Sequence, residues 1–299
     1  MAVRMAQHLM ARLPELRFEP VTRRIRCHVD DETVADTTDA MLVWEPRRIV
    51  PVYALPPDDI HADLVPFTSA ASPDLDALPP VLGPENFGIH TCNGEALTLL
   101  VGGRELPGVA FRPDDPELGG RITLDWPAFD WIEEEQPVIA HPHDPFGRID
   151  VLSASRHVVV SLDGVTLADS RRPVGVFETH LPPRWYLPRE DVRMDLLTPS
   201  ETTSVCAYKG HASYFSLASG SPAGRDIAWT YTDPLHEVAA VKDRVCFFAE
   251  RTDLDLDGQR ISRPVTPWST PEEQESEGAA HEKTPSRVRF RTAGREPPG

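Results

Sequence analysis

Lysine, paired cysteines and long apolar runs are all scarce in this chain, and each shortage narrows what it can do. Only three lysines occur in 299 residues, Lys209, Lys242 and Lys283, and 30 Lys plus Arg face 47 Asp plus Glu for a net charge of -17. A general phosphate-backbone binder needs a basic stripe to release counterions, so nucleic acid is excluded as a partner. The four cysteines, Cys27, Cys92, Cys206 and Cys246, form no CxxC pair. No apolar stretch approaches the roughly 20 residues that span a bilayer, so no membrane partner is expected. Residues 1–19 scatter charges where an export signal would gather an apolar centre; they read as a short amphipathic helix or a frayed end. The expected location is the cytoplasm, with reduced thiols. No GxGxxG, phosphate-loop lysine motif, GxSxG or HExxH occurs, which removes the common nucleotide and hydrolase signatures.

What is present in abundance is proline, 31 residues, with aromatics at 7%. Proline removes backbone donors and interrupts helices, so short elements joined by many turns are expected. The chain also repeats itself. Val34-Ala-Asp36 answers Leu167-Ala-Asp169, and nine residues after each Asp stands a glutamate behind an aromatic, Trp44-Glu45 and Phe177-Glu178. Tyr53 to Ile60 then answers Tyr186 to Val192 with a one-residue slip. Further on, Ala110-Phe111 answers Ala228-Trp229, Arg121 to Leu124 answers Arg244 to Phe247, and Asp130 falls opposite Asp253. Matches in one order over such a length indicate a tandem pair, and the period is too long for a solenoid. The expected organisation is an N-terminal extension (1–19), a first copy (20–140), a linker (141–149), a second copy (150–261) and a disordered tail (262–299). Residues 66–84, rich in Pro, Ala, Ser and Asp, read as a loop insertion in the first copy.

Strand signals dominate inside each copy. Arg156 to Ala168 holds a β-branched run, an Asp-Gly turn and a second apolar run, the signature of a short hairpin. Val174–Glu178, Arg184–Leu187, Ser213–Leu217 and Arg244–Ala249 are further candidates. A short helix is expected over 189–197, with Pro188 in its first turn. The fold class is therefore mainly β: two small antiparallel domains packed as a pseudo-dimer within one chain, with few short helices, and a monomer overall.

Chemistry is most concentrated between Tyr186 and Tyr214. Lys209 with Arg189 and Arg193 has the makings of an anion site, oriented by Asp191 or Asp195. Gly210 beside Lys209 would let the backbone approach a ligand or adopt positive φ. The bland alternative is a hairpin corner with surface ion pairs. Cys206 is a nucleophile candidate if a neighbouring cation lowers its pKa, although a structural thiol is the commoner case. Asp191 and Asp195 would share one face if their segment were helical, as a metal-binding pair should. His141-Pro-His143-Asp144 is interrupted by proline and sits in the linker, and Asp253-Leu-Asp-Leu-Asp-Gly lacks the terminal glutamate of a calcium loop. Neither defines a metal site, and no cofactor is specified.

Three strings, Leu187-Pro-Arg-Glu-Asp-Val, Cys206-Ala-Tyr-Lys-Gly-His-Ala-Ser-Tyr and Ala228-Trp-Thr-Tyr-Thr-Asp-Pro, together resemble the bacterial family of domain of unknown function 427. The resemblance covers nearly all of 150–260. Ala207 stands where family members commonly carry proline, which loosens the turn presenting Lys209. The resemblance implies a compact β-rich domain, and the tandem form implies a fused dimer. Some catalogues label the family a nucleotidyltransferase. The first copy departs further: aligned by sequence, Asn93-Gly94 replaces Lys209-Gly210, Pro57 replaces Arg189 and His61 replaces Arg193.

Three functional readings follow. The first is a small anionic ligand held by Tyr186, Arg189, Arg193, Lys209 and Tyr214 with Trp229 as an apolar wall. The second is an enzyme at that site, nucleotidyltransferase-like or thiol-dependent, using Cys206, Asp191 or Asp195. The third is a non-catalytic interaction module. Residues 20–145 hold 23 acidic and 8 basic side chains, whereas 146–261 hold 16 and 13. The acidity belongs to the first copy, and the second is where an anion would meet least opposition.

Overall fold

A computed structural model describes residues 2–68, 74–179 and 181–266. Most of the expected tail, residues 267–299, lies outside them. A short helix, α1 (Met5–Met10), opens the chain. The first half then forms β1 (Arg17–Pro20), β2 (Ile25–Val29), β3 (Glu32–Thr37), β4 (Met41–Trp44), β5 (Val52–Leu55), β6 (Asp63–Pro66), β7 (Gly94–Val101), β8 (Arg104–Pro113), β9 (Ile122–Leu124), β10 (Asp130–Glu133) and β11 (Gln136–Val138). The second half forms β12 (Ile149–Ser153), β13 (Val158–Leu162), β14 (Val165–Ser170), β15 (Val174–Glu178), β16 (Arg184–Leu187), β17 (Leu197–Cys206), β18 (Gly210–Leu217), β19 (Ala228–Thr230), β20 (Val245–Phe247), β21 (Asp253–Leu256) and β22 (Gln259–Ile261). All the ladders between these strands are antiparallel. Among the described residues, no helix is long and apolar enough to cross a membrane.

The halves share one topology. A seven-stranded sheet runs β1-β4-β5-β9-β8-β7-β6 in the first and β12-β15-β16-β20-β19-β18-β17 in the second. Four-stranded sheets run β11-β10-β2-β3 and β22-β21-β13-β14. Asp163-Gly164 and Asp257-Gly258 both take positive φ and close two-residue hairpins, the conformation that Asp-Gly favours. Each half buries an apolar core, one around Ile25, Leu42, Tyr53 and Leu99, the other around Val158, Leu187, Phe215 and Val245.

One irregularity recurs. The β2–β3 ladder shifts after Cys27 so that Val34 is the extra residue, and the β13–β14 ladder shifts after Val160 so that Leu167 is. A bulge leaves its extra residue out of the ladder. Here the freed carbonyls of Val34 and Leu167 accept from His61 N at 2.7 Å and Arg193 N at 2.8 Å. Each bulge thus docks the turn that follows a Leu-Pro step.

That turn is where the sequence reading needs correction. Residues 189–197 form no α-helix: two 3-10 turns, Arg189–Asp191 and Met194–Leu196, flank an extended Val192 bridged to Ala168. Pairing to the bulged strand outcompetes a continuous helix. The ladders also move the one-residue slip out of the strand and into the β4–β5 connection, which is one residue longer than its β15–β16 counterpart. Leu55 pairs with Ile122 as Leu187 pairs with Val245, so Tyr53 corresponds to Trp185 and Ala54 to Tyr186. Strand side chains alternate faces, so one residue of register places Tyr53 in the inner core and Tyr186 on the opposite face.

Candidate functional site

On the outer face of the second seven-stranded sheet, Val174, Tyr186, Cys246, Trp229 and Tyr214 form one row across five strands. Tyr186 is fully buried, and its hydroxyl accepts from Trp229 Nε1 at 3.0 Å. Burial pushes its phenol well above the ordinary value, so it remains a neutral hydrogen-bonding group. Trp229 packs on Phe248 at 4.5 Å between ring centroids, and Tyr214 hydroxyl lies 2.8 Å from Ser204 Oγ. The corresponding row in the first copy is Met41, Ala54, Thr123, Phe111 and Ala96. Small side chains have replaced most of the aromatic wall.

Lys209 stands at the corner joining β17 to β18, where its amide donates to Cys206 O and Gly210 takes φ of 92°. A side chain at 210 would be strained in that conformation. Lys209 is 8% exposed, and its Nζ donates to Glu178 Oε2 at the end of β15, 2.5 Å away. The linker holds this corner from outside. Tyr208 stacks on His143, its hydroxyl accepts from Asp144 N at 2.8 Å, and His143 Nε2 lies 2.8 Å from Ala207 O. Burial raises the Tyr208 phenol to about 12.

The arginines do not join this group. Arg189 is exposed and lies over Phe215, an inner-core residue, so it belongs to the opposite side of the sheet from Tyr186. Arg193 is exposed and forks onto Asp195 at 2.8 and 2.6 Å. Asp191 accepts from Ser170 Oγ at 2.7 Å and Arg172 Nη2 at 2.8 Å. The two aspartates therefore occupy separate turns with separate cations, and the shared helical face expected of them is absent. Cys206 is half-buried in the corner beside Lys209.

Two buried ion pairs escaped the sequence reading. Arg184, on the face of Tyr186, donates to Glu250 through both Nη atoms at 2.7 and 2.6 Å, with side chains 6% and 0% exposed. In the first copy, Glu45 and Arg48 are each 1% exposed. Counting back from Ala96 and Tyr214 along matching ladders sets Thr91 opposite Lys209 and His90 opposite Tyr208. Thr91 N and His90 Nδ1 contact Glu45 at 2.5 and 2.8 Å, as Lys209 contacts Glu178. The glutamate is thus retained in both copies while its partners change. The recurring aromatic-Glu pair was the signal; nothing marked Arg48 or Arg184 as internal.

Burial alone would raise the Glu45 carboxyl, but His90, Arg48 and the Thr91 amide outweigh it and hold it below the ordinary 4.5. A depressed carboxylate contributes stability above its unfolded pKa and loses it as pH falls through the folded value. Glu45→Gln is therefore expected to flatten the acid limb of stability against pH below about 4.5, measured by urea unfolding. An acid limb unchanged by the substitution would contradict this coupling.

A family profile described as domain of unknown function (DUF427) matches residues 17–73 and 150–258. No curated protein matches the chain.

Proposed function

The chain belongs to the DUF427 family, and from that premise we propose that its second copy binds a small anion at Lys209. The observation that carries this reading is the bonding of Lys209 itself. An ammonium has three donors, and among the described residues only Glu178 accepts from this one. Glu178 directs one oxygen at Lys209, which favours a ligand that accepts from the ammonium while offering a proton to the carboxylate. A phosphate monoester or a hydroxy acid meets both demands. Tyr186, Trp229 and Tyr214 give the neighbouring wall its rigidity. In this reading the chain is a cytoplasmic monomer of two copies, 20–140 and 150–261, joined by 141–149, and the tail takes no part.

Titration with inorganic phosphate, a sugar phosphate and lactate tests it. Saturable binding to the full chain is expected for at least one probe, with Kd raised at least about tenfold in Lys209→Met, the scale of a lost charge-assisted hydrogen bond. Lys242→Met should leave Kd unchanged. Binding indifferent to Lys209→Met would remove the site.

A further inference from the structure

The segment between β11 and β12 begins under strain. Ala140 takes φ of 63°, and His141 N donates to Ile139 O at 2.7 Å across it. This is the rare form of the three-residue turn, and in a residue other than glycine it persists only where surrounding contacts hold it. Those contacts follow at once. His141 is buried, its Nδ1 donates to Pro142 O at 2.7 Å, and its ring meets Tyr208 edge-on at 5.9 Å between centroids. His143 stacks on the same tyrosine at 4.5 Å, and its Nε2 donates to Ala207 O at 2.8 Å. Asp144 N donates to the Tyr208 hydroxyl at 2.8 Å. At the far end, Arg148 N donates to Thr179 Oγ1 at 2.8 Å and Thr179 N returns a bond to Arg148 O at 2.9 Å. Tyr208 precedes Lys209 and Thr179 follows Glu178, so the linker grips both flanks of the Lys209–Glu178 pair.

The groups around His141 decide what releases this grip. His143 and Asp144 face it from the linker, and Tyr208 faces it from the β17–β18 corner. Arg17 of β1 in turn faces Asp144. Burial holds the His141 imidazole below its ordinary 6.5, outweighing the Pro142 carbonyl and Asp144, which favour the charged ring. His143 adds to the depression. With Nδ1 already donating, a second proton enters at Nε2, from which no described residue accepts. A released ring titrates near its ordinary 6.5, so below that pH the free linker binds more protons than the docked one. Docking is therefore strongest above about 6.5 and weakens as pH falls toward the lower docked value.

We propose that the linker is a pH-sensitive latch on the second copy: protonation of His141 releases it from Tyr208 and Thr179 and loosens the corner that carries Lys209. His143 donates to Ala207 whether its ring is neutral or charged, so His141 is the trigger and His143 part of the clasp. Relief of the strained turn at Ala140 favours release once the trigger is charged. The latch rests on the linker contacts alone, so its failure would leave the anion reading standing, and the reverse.

Hydrogen exchange of the Asp144 amide in the full chain, corrected for the intrinsic effect of pH, reads the latch, because that amide is bonded to Tyr208. From about pH 7.5 to about pH 5 its protection is expected to fall, by up to about tenfold per pH unit, the slope of one proton taken up on release. The amides of β16 should show no such fall. His141→Phe keeps a ring in place but cannot take the proton, so its Asp144 protection should not change with pH. His143→Phe should lower protection at every pH and keep the slope. A further measurement needs no variant: followed by its proton shifts, the His141 ring should titrate below 6.5. A His141 midpoint at or above that value, an undiminished slope in His141→Phe, or a loss of protection shared with β16 would each overturn the proposal.

Discussion

Arg184→Met is expected to cost about 3–5 kcal/mol of folding free energy, because it strips a fully buried carboxylate of its guanidinium. Glu250 would retain the hydroxyl of Thr266, at 2.7 Å, in place of two charge-assisted bonds. The guanidinium also lies 5.6 and 5.9 Å from the ring centroids of Trp229 and Phe248, so its loss loosens the aromatic wall. The penalty has a pH signature. Burial tends to raise Glu250, but the bonds from Arg184 outweigh it and hold the carboxyl below 4.5. Without them burial prevails and the carboxyl takes up a proton, so the loss should be largest at neutral pH and shrink as pH falls toward the carboxylate range. The double variant Arg184→Met/Glu250→Leu should recover most of the loss, since well-packed apolar residues replace a buried pair at little cost. Urea unfolding of the three variants across pH checks both claims. A double variant no better than the single would mean that Arg184 acts by packing alone.

Trp229→Ala should be of similar size, about 3–5 kcal/mol, as expected for emptying a buried aromatic position. Trp229 is 7% exposed and lies between Tyr186 and Phe248, so truncation leaves a cavity on the sheet and takes the donor from the Tyr186 hydroxyl. Trp229→Phe separates these effects. It fills most of the space and should lose about 1 kcal/mol for the hydrogen bond. Equal losses in both variants would place the whole effect in that bond and none in packing.

The fold was legible because its signals are local or repeated. Asp163-Gly164 sets its hairpin by backbone preference alone, and the Leu-Pro steps at Leu55 and Leu187 set the register of β5 against β16. The aromatic match of Tyr53 with Tyr186 misled because chemical likeness is no guide to facing in a strand, where neighbours point in opposite directions. The site was legible only in part. Lys209 stood out by rarity, but its partner Glu178 is close in space through sheet pairing and 31 residues distant in sequence. Arg48 and Arg184 could not be told from surface arginines, because a charged side chain is internal only when partners from other strands meet it. Arg189 and Arg193 had the right chemistry, but alternation and the broken 3-10 turns turn them away from Lys209.

The bulges at Val34 and Leu167 have a historical consequence. A defect of the same size at the same rung of both ladders, receiving the same amide from the same turn, is inherited from a common ancestor. It therefore predates the gene duplication, whereas Thr91 opposite Lys209 records divergence after it.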